Sequence, residues 1–128
     1  MIVEDHDMLR SCLQDVLGRY GHKVRAFGTA EEALSCLEAD RFDVLHTDLH
    51  LPGMDGWELI AKAKAVRPSI HILLLTGDGR KEVHERARKA GVDVLMEEPM
   101  ELDKLLAYLN WIDHSIREGK RDIGKEPG

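Results

Sequence analysis

The sequence lacks the features that mark several large classes of protein. Its 128 residues hold 18 Lys and Arg against 24 Asp and Glu, so the formal net charge is −6. A general nucleic-acid-binding surface needs a basic face, and this balance argues against one. No apolar run approaches the roughly 20 residues of a membrane-spanning helix, and no secretory signal follows Met1. We therefore expect a cytoplasmic protein with no membrane segment and no direct contact with nucleic acid.

Cysteine is also scarce. Cys12 and Cys36 both fall within helical patterns, and their spacing fits no zinc motif. A reduced, cytosolic protein is the expected setting, with both thiols serving as small core residues. Hydrophobic residues make up 43% of the chain and charged residues 33%, which is typical of a globular protein. The length predicts one domain with one core.

Five short apolar runs alternate with five amphipathic stretches along the chain. The runs cover residues 1–3, 23–27, 42–47, 70–76 and 92–96. The stretches have apolar residues three and four apart, which predicts helices, and the fourth, residues 80–90, has the weakest apolar face. This alternation predicts a parallel sheet with helices on both faces. We predict one domain over residues 1–116, and we interpret the polar, glycine-rich residues 117–128 as a tail or linker.

Acidic residues follow the predicted strands at the points where the strands end. The residues at these ends are Glu4, Asp5, Asp48, Thr76, Glu97 and Glu98. Ligands of such sheets bind outside the carboxyl ends of the strands. If the strands are neighbours, several carboxylates and a hydroxyl converge, and such a cluster cannot be fully ionised without a cation. Oxygen ligands at close quarters suit Mg²⁺, which keeps several waters that a phosphate can replace.

Asp48 stands apart because it ends a strand that is otherwise apolar or weakly polar, which should fix its position. A carboxylate beside a divalent cation can act as a nucleophile toward phosphorus and form an acyl phosphate. The cation and nearby donors, among them the hydroxyl of Thr76, would neutralise charge on the transferring group. Each acid alone is better explained as a solvated strand end or helix cap, but their joint placement favours a site.

Four segments together resemble the receiver domain of response regulators in two-component signalling. IVEDH at residues 2–6 resembles the acidic metal-binding turn of that family. DVLHTDLHLPGMDGWEL at residues 43–59 resembles its phosphoacceptor strand and the loop that follows. ILLLTG at residues 72–77 and AGVDVLMEEP at residues 90–99 resemble its last two strands. The resemblance covers residues 1–115 and implies a flavodoxin-like (βα)5 fold, a three-layer sandwich whose parallel five-stranded sheet has the order 2-1-3-4-5.

The resemblance also implies a role for each matching residue. Asp48 would accept a phosphoryl group from a sensor histidine kinase or a phosphotransfer protein. Asp5, Asp48 and the backbone carbonyl of His50 would hold Mg²⁺, and Glu4 would act mainly through metal-bound water. Thr76 would contact the phosphoryl group and move on activation. Such a domain is a phosphoacceptor that signals by a conformational change, and it catalyses only its own phosphoryl transfer and dephosphorylation.

Two positions depart from the family pattern. Glu98 stands where the family has a lysine that contacts the phosphoryl group, and Leu95 stands where it usually has an aromatic switch residue. The first change alters the pocket by two charge units. At an effective dielectric constant near 20, a unit pair about 4 Å apart interacts by about 4 kcal/mol. Repulsion from Glu98 would therefore disfavour phosphorylated Asp48, unless Arg80 and Lys81 supply the missing positive charge.

Two hypotheses follow from these departures. In the first, Asp48 still accepts a phosphoryl group, with altered switching. In the second, the domain is a degenerate receiver that binds a partner whatever its state of phosphorylation. The presence of Glu4, Asp5 and Thr76 favours the first hypothesis.

The resemblance points to a homodimer surface as well. Receivers use their last two helices and last strand for dimerisation or output. Here that face would carry Tyr108 and Trp111, so we expect a homodimer through it by resemblance alone.

Other residues admit different interpretations. Asp48-Leu-His50-Leu-Pro-Gly53 also matches D-x-H-x-x-G, a cobalamin-ligand pattern of another flavodoxin-like domain. That pattern follows the first strand of its domain, whereas here it follows the third. His46 is expected to be a buried, neutral imidazole with a local hydrogen bond. Trp57 is expected beside the mouth of the site.

Overall fold

Strands and helices alternate throughout the computed structural model, which describes residues 1–118. The strands are β1 (Ile2–Val3), β2 (Ala26–Phe27), β3 (Val44–Asp48), β4 (His71–Thr76) and β5 (Val94–Glu97). The helices are α1 (Asp7–Arg19), α2 (Ala30–Ala39), α3 (Gly56–Val66), α4 (Lys81–Ala90) and α5 (Leu102–Arg117). All neighbouring strands are parallel, and the sheet order is β2-β1-β3-β4-β5. The predicted flavodoxin-like (βα)5 sandwich is confirmed.

Helices cover both faces of the sheet. Leu45, Ile72 and Leu74 pack on the side of α2, α3 and α4, while Leu73 and Leu75 pack on the side of α1 and α5. Every residue of β4 is buried, as a strand covered on both faces requires. The sheet is therefore a rigid central layer, and the residues at its carboxyl edge are held in fixed relative positions.

The loop from β3 to α3 is closed by specific local contacts. Asp55 caps α3 by accepting a hydrogen bond of 2.9 Å from the backbone N–H of Glu58. Gly53 has φ +74°, a conformation that favours glycine. Gly56 begins α3 and donates its N–H to the carbonyl of Leu49 at 2.9 Å. The Pro-Gly-Met-Asp-Gly segment therefore folds back tightly against the end of β3, where Asp48 lies.

Two predictions about single side chains are wrong. Cys12 is exposed rather than part of the core, because α1 buries the stripe of Leu13 and Leu17 and position 12 lies about 100° around the helix from Leu13. His46 is buried, but neither ring nitrogen has a hydrogen-bond partner within residues 1–118. Burial and, to a smaller extent, the nearby N-terminal ammonium lower the pKa of His46 to about 4, which agrees with the expected neutral imidazole.

Two further expectations concern membrane-spanning helices and the C-terminal tail. Among residues 1–118, no helix has the length and apolar character needed to cross a bilayer. The last helix ends at Arg117, so residues 119–128, most of the predicted tail, lie outside the described part of the chain.

Candidate functional site

Three predicted carboxylates meet at the carboxyl edge of the sheet. Glu4 and Asp5 directly follow β1, and Asp48 is the last residue of the neighbouring strand β3. One carboxylate oxygen from each lies within 4.8 Å of the others. Glu4 is buried, Asp48 is half-buried and Asp5 is exposed. The cluster therefore has a buried floor and opens to solvent.

The electrostatics of the cluster oppose full ionisation. Burial raises the pKa of Glu4, and Asp5 and Asp48 raise it further, against a hydrogen bond from the backbone N–H of His6 that lowers it. Burial likewise raises the pKa of Asp48, with smaller increases from Glu98 and Asp5. The backbone N–H of His50, which lies 3.3 Å from the Asp48 carboxylate, acts in the opposite direction. A cation bound among these oxygens would offset the repulsion between the carboxylates.

The donor set fits a hard divalent cation. Three carboxylates with oxygen atoms in mutual reach, one of them exposed, leave room for water ligands, which suits Mg²⁺. The backbone of residue 50 folds around Asp48, since its N–H is bonded to the Asp48 side chain. The predicted role of the His50 carbonyl as a ligand stays a prediction.

Thr76 and Glu98 border the cluster from the neighbouring strands. Thr76 ends β4 and is fully buried, and its Oγ1 accepts a hydrogen bond of 3.0 Å from the backbone N–H of Asp78. In that bond the hydroxyl is the acceptor, so its proton is not used in it. Glu98 follows β5, is exposed, and lies against Gly77, where a Cβ would come within 3.2 Å of Oε2. Its charge reaches Asp48, although its oxygens are outside the three-carboxylate cluster.

The close approach of Gly56 to the end of β3 can be tested by substitution. A Cβ added to Gly56 would meet backbone atoms of Asp48 and Leu49 at 2.7–2.9 Å. Replacing Gly56 by alanine is therefore expected to lower the free energy of unfolding by about 1–3 kcal/mol, as in other overpacked sites. Thermal or urea unfolding measures this.

Gly18 is the matched control for this substitution. It lies in α1 with nothing within 4 Å of an added Cβ, so Gly18→Ala should raise the free energy of unfolding by up to about 1 kcal/mol. Equal effects of the two substitutions would contradict the close approach of Gly56 to β3.

Comparison with known proteins identifies the family. A family model for the response regulator receiver domain matches residues 1–110. The chain belongs to the response regulator receiver family. It is a receiver domain of the kind found in two-component signalling, as the sequence motifs predicted. The cobalamin alternative is also weakened by the topology, because its motif follows β3.

Similar proteins of known function are longer than this chain. The two-component response regulator PhoP of Pseudomonas aeruginosa is 37% identical over 110 residues, which cover 86% of this chain and 49% of that protein. The sensor histidine kinase RcsC of Escherichia coli is 24% identical over 120 residues, covering 94% of this chain and 13% of that protein. This chain therefore spans less than half the length of each of these relatives.

Solved receiver structures share the fold. A CheY-like receiver domain protein from Methanospirillum hungatei is 29% identical, with a TM-score of 0.85 over 92% of this chain and 95% of that chain. A response regulator from Burkholderia pseudomallei, solved with a phosphorylated aspartic acid, a calcium ion and citrate, is also 29% identical. Its TM-score is 0.78, over 92% of this chain and 70% of that chain.

Arg80, one of the two cations considered as a replacement for the missing lysine, is engaged elsewhere. Arg80 forms a two-pronged contact with Asp78, with nitrogen–oxygen distances of 2.7 and 2.9 Å. Its side chain is 74% exposed, so the contact lies on the surface. Lys81 is exposed in the first turn of α4. The contacts of Arg80 therefore do not support the suggestion that it replaces the missing lysine.

Arg10 belongs to the site but was missed in the sequence. Its guanidinium donates to the backbone carbonyl of Glu4 at 2.9 Å and to the carboxylate of Asp7 at 2.6 Å. It therefore fixes the acidic turn after β1 and brings a positive charge near the cluster. The only signal was the i, i+3 spacing of Asp7 and Arg10 on α1, which is common on helix surfaces.

Trp57 lies in the first turn of α3, as the sequence predicted. Its place beside the mouth of the site stays a prediction. The residue is half-buried, and the guanidinium of Arg86 on α4 lies 4.6 Å from its ring centroid. This cation–π contact connects the two helices. Trp57 is therefore a packing residue whose fluorescence should respond to changes in α4.

Proposed function

We propose that this receiver accepts a phosphoryl group on Asp48 from the phosphohistidine of a sensor histidine kinase or a phosphotransfer protein, with Mg²⁺ bound beside it. The observation that carries the proposal is the convergence of Glu4, Asp5 and Asp48 within 4.8 Å at the carboxyl edge of the sheet. The similar response regulator from Burkholderia pseudomallei, solved with a phosphorylated aspartic acid, supports the same chemistry here.

Asp48 would act as the nucleophile. One of its carboxylate oxygens forms the bond to phosphorus while the nitrogen–phosphorus bond of the donor breaks and leaves its electron pair on the donor imidazole. The backbone N–H of His50 orients the carboxylate before the transfer. Asp48 is the last residue of β3, the central strand of the sheet, so we expect its position to change little when a donor arrives.

The neighbouring groups would bind the cation and contact the phosphoryl group. Glu4, Asp5 and Asp48, with the carbonyl of His50, would hold Mg²⁺, which supplies positive charge to the transferring group. The hydroxyl of Thr76 would donate to a phosphoryl oxygen and shift toward it, since its proton is free of the Asp78 contact. That shift would carry the signal to α4 and β5 by a conformational change.

A degenerate receiver remains the second candidate, and Glu98 favours it. Its carboxylate raises the pKa of Asp48 and so acts against added negative charge there. In that case the domain would bind its partner irrespective of phosphorylation. A module that only binds a partner would not need the acidic cluster or Thr76. The presence of these residues therefore favours the phosphoacceptor function over the degenerate receiver.

Labelling with acetyl phosphate tests the proposal. Wild-type protein with Mg²⁺ should incorporate phosphoryl label, and Asp48→Asn should incorporate none. Asp78→Asn is the matched control, because Asp78 lies two residues after Thr76 but its carboxylate contacts Arg80, and it should label like the wild type. An unlabelled wild type would support the degenerate receiver, and equal labelling of Asp48→Asn would show that another residue is the acceptor.

We also propose a cellular location and an oligomeric state for the receiver. We place it in the cytoplasm, where sensor kinases present their phosphohistidines. A homodimer would form through α4, β5 and α5, where Tyr108 and Trp111 pack with ring centroids 6.4 Å apart and are both half-buried. Sedimentation velocity over a range of concentrations tests that association.

A further inference from the structure

The peptide group between Glu4 and Asp5 is anchored by a side chain. Its oxygen, the backbone carbonyl of Glu4, accepts a hydrogen bond of 2.9 Å from Nη1 of Arg10. A peptide group is planar, so holding its oxygen limits rotation of the whole group and of the Cα atoms at both of its ends. Those two Cα atoms carry two of the three clustered carboxylates. The position of Arg10 therefore bears directly on the geometry of the acidic cluster.

Arg10 is itself held from two sides. Its Nη2 donates to the carboxylate of Asp7 at 2.6 Å, and its side chain is 23% exposed. On the other side lies Gly28, the residue that follows β2. A Cβ added to Gly28 would lie 3.0 Å from Nη1 of Arg10 and 3.6 Å from Cζ. A residue larger than glycine would therefore press on the nitrogen that donates to Glu4.

Charge and geometry predict opposite effects of Arg10 on a bound cation. A positive charge near the carboxylates repels a cation, so its removal alone would tighten binding. Asp7 offsets that charge at close range, and the pKa values of Glu4 and Asp48 are shifted by burial, backbone N–H groups and neighbouring acids. We therefore expect the geometric effect of Arg10 to be the larger of the two.

We propose that Arg10 is a positioning residue of the Mg²⁺ site, and that Gly28 provides the space in which its guanidinium reaches Glu4. Holding the peptide group between Glu4 and Asp5 keeps two carboxylates within reach of Asp48 before a cation arrives. Residues that orient the ligands of a metal typically change its affinity by about 10- to 100-fold. The role of Arg10 rests on the Mg²⁺ site of the proposed function, and it makes the end of β2 part of the support of that site.

Titration calorimetry of the unphosphorylated protein with Mg²⁺ measures the effect. Arg10→Met keeps the apolar part of the side chain and removes both hydrogen bonds, so it should raise the dissociation constant of Mg²⁺ by about tenfold or more. Arg19→Met is the matched control. Arg19 also lies on α1 and pairs with an aspartate, Asp15 at 3.1 Å, but it ends the helix that the acidic turn precedes. This control should bind Mg²⁺ like the wild type.

Gly28→Ala separates position from charge, because it changes no charge. Among the described residues the added Cβ meets only the far end of the flexible Arg10 side chain, so the variant should melt close to the wild-type temperature. It should weaken Mg²⁺ binding by less than Arg10→Met does. In the Arg10→Met background it should have no further effect, because both substitutions act on the same contact.

The outcomes separate this role from the phosphoacceptor function. Unchanged or tighter Mg²⁺ binding by Arg10→Met, beside normal binding by the wild type, would overturn the role of Arg10 and leave the phosphoacceptor function intact. An equal loss from Gly28→Ala in both backgrounds, or no loss in either, would overturn the role given to Gly28. A wild type that binds no Mg²⁺ would overturn the proposed metal site together with the role of Arg10.

Discussion

Replacing Glu98 by lysine is expected to raise the yield of phosphorylated protein by roughly ten- to a hundredfold at equal acetyl phosphate and Mg²⁺. The charge of Glu98 reaches Asp48 and opposes negative charge there. The substitution changes the local charge by two units and puts a cation where the family has one. Solvent screens the effect because Glu98 is exposed, which is why the expected gain is smaller than the full Coulomb interaction of a close pair.

Glu97→Lys is the matched control for this charge change. Glu97 is the adjacent residue, and its carboxylate lies 3.1 Å from His84 on α4 rather than beside Asp48. The same change of two units at position 97 should alter the yield far less, with both variants compared by the fraction of phosphorylated protein in intact-mass spectra. If both substitutions raise the yield equally, the effect is one of net charge, and the specific role given to Glu98 is wrong.

Removing the charge of Asp48 is expected to stabilise the metal-free protein and to weaken its response to Mg²⁺. In a chelating buffer at neutral pH, Asp48→Asn should raise the free energy of unfolding by on the order of 1 kcal/mol, because it relieves repulsion among like charges. Mg²⁺ at a hundred times its dissociation constant should stabilise the wild type by about 2.7 kcal/mol. The variant should gain much less, because it has lost one of three clustered carboxylates.

The pH dependence of this difference has a definite sign. The folded-state pKa values of Asp48 and Glu4 are raised, so the folded protein holds their protons more tightly than the unfolded chain does. Their contribution to stability is full below the ordinary carboxyl pKa near 4 and is lost as pH rises through the raised values. The advantage of Asp48→Asn over the metal-free wild type should therefore be small in acid and grow toward neutral pH.

Asp15→Asn controls for the general effect of removing one carboxylate. Asp15 is 61% exposed and pairs with Arg19 on α1, away from the cluster. Its removal should change stability by less than about 0.5 kcal/mol and should leave the stabilisation by Mg²⁺ intact. Urea unfolding with and without Mg²⁺ measures all three proteins, and an unchanged Mg²⁺ response in Asp48→Asn would contradict the assigned metal site.

The sequence could predict the architecture of the site because regular elements impose their geometry on it. Apolar runs with helical stretches between them set a parallel sheet, and a parallel sheet brings the residues after its strands to one edge. Glu4, Asp5 and Asp48 therefore met as expected. Gly53 and Gly56 are explained by the same geometry, since the loop must turn and then approach β3 closely.

Other features depend on side-chain directions that residue patterns do not contain. Cys12 and Leu13 are adjacent in sequence, but only the leucine faces the sheet. The guanidinium of Arg10 reaches the Glu4 carbonyl through a rotamer that no spacing rule specifies. His46 was expected to find a hydrogen-bond partner, yet its neighbours across the sheet are apolar. Whether a polar side chain is satisfied depends on the packing around it, which becomes visible only in three dimensions.

Glu98 is an example of a residue that the sequence singled out but whose placement only the structure shows. The sequence identified it as an acid in place of a lysine, and the structure shows its carboxylate beside Gly77, outside the group of three clustered acids. It therefore modulates the charge of the phosphoacceptor pocket without joining the donor set. Phosphorylation is consequently expected to be weaker than in a receiver with lysine, rather than absent.

Chemical trapping of the acyl phosphate tests the central claim most directly. Sodium borohydride reduces a phosphorylated aspartate to homoserine, which peptide mass spectrometry can locate to one residue. After treatment with acetyl phosphate and Mg²⁺, we expect homoserine at position 48 of the wild type and none when Mg²⁺ is chelated. Homoserine at another position, or at no position despite bound Mg²⁺, would contradict the assignment of Asp48 as the phosphoacceptor.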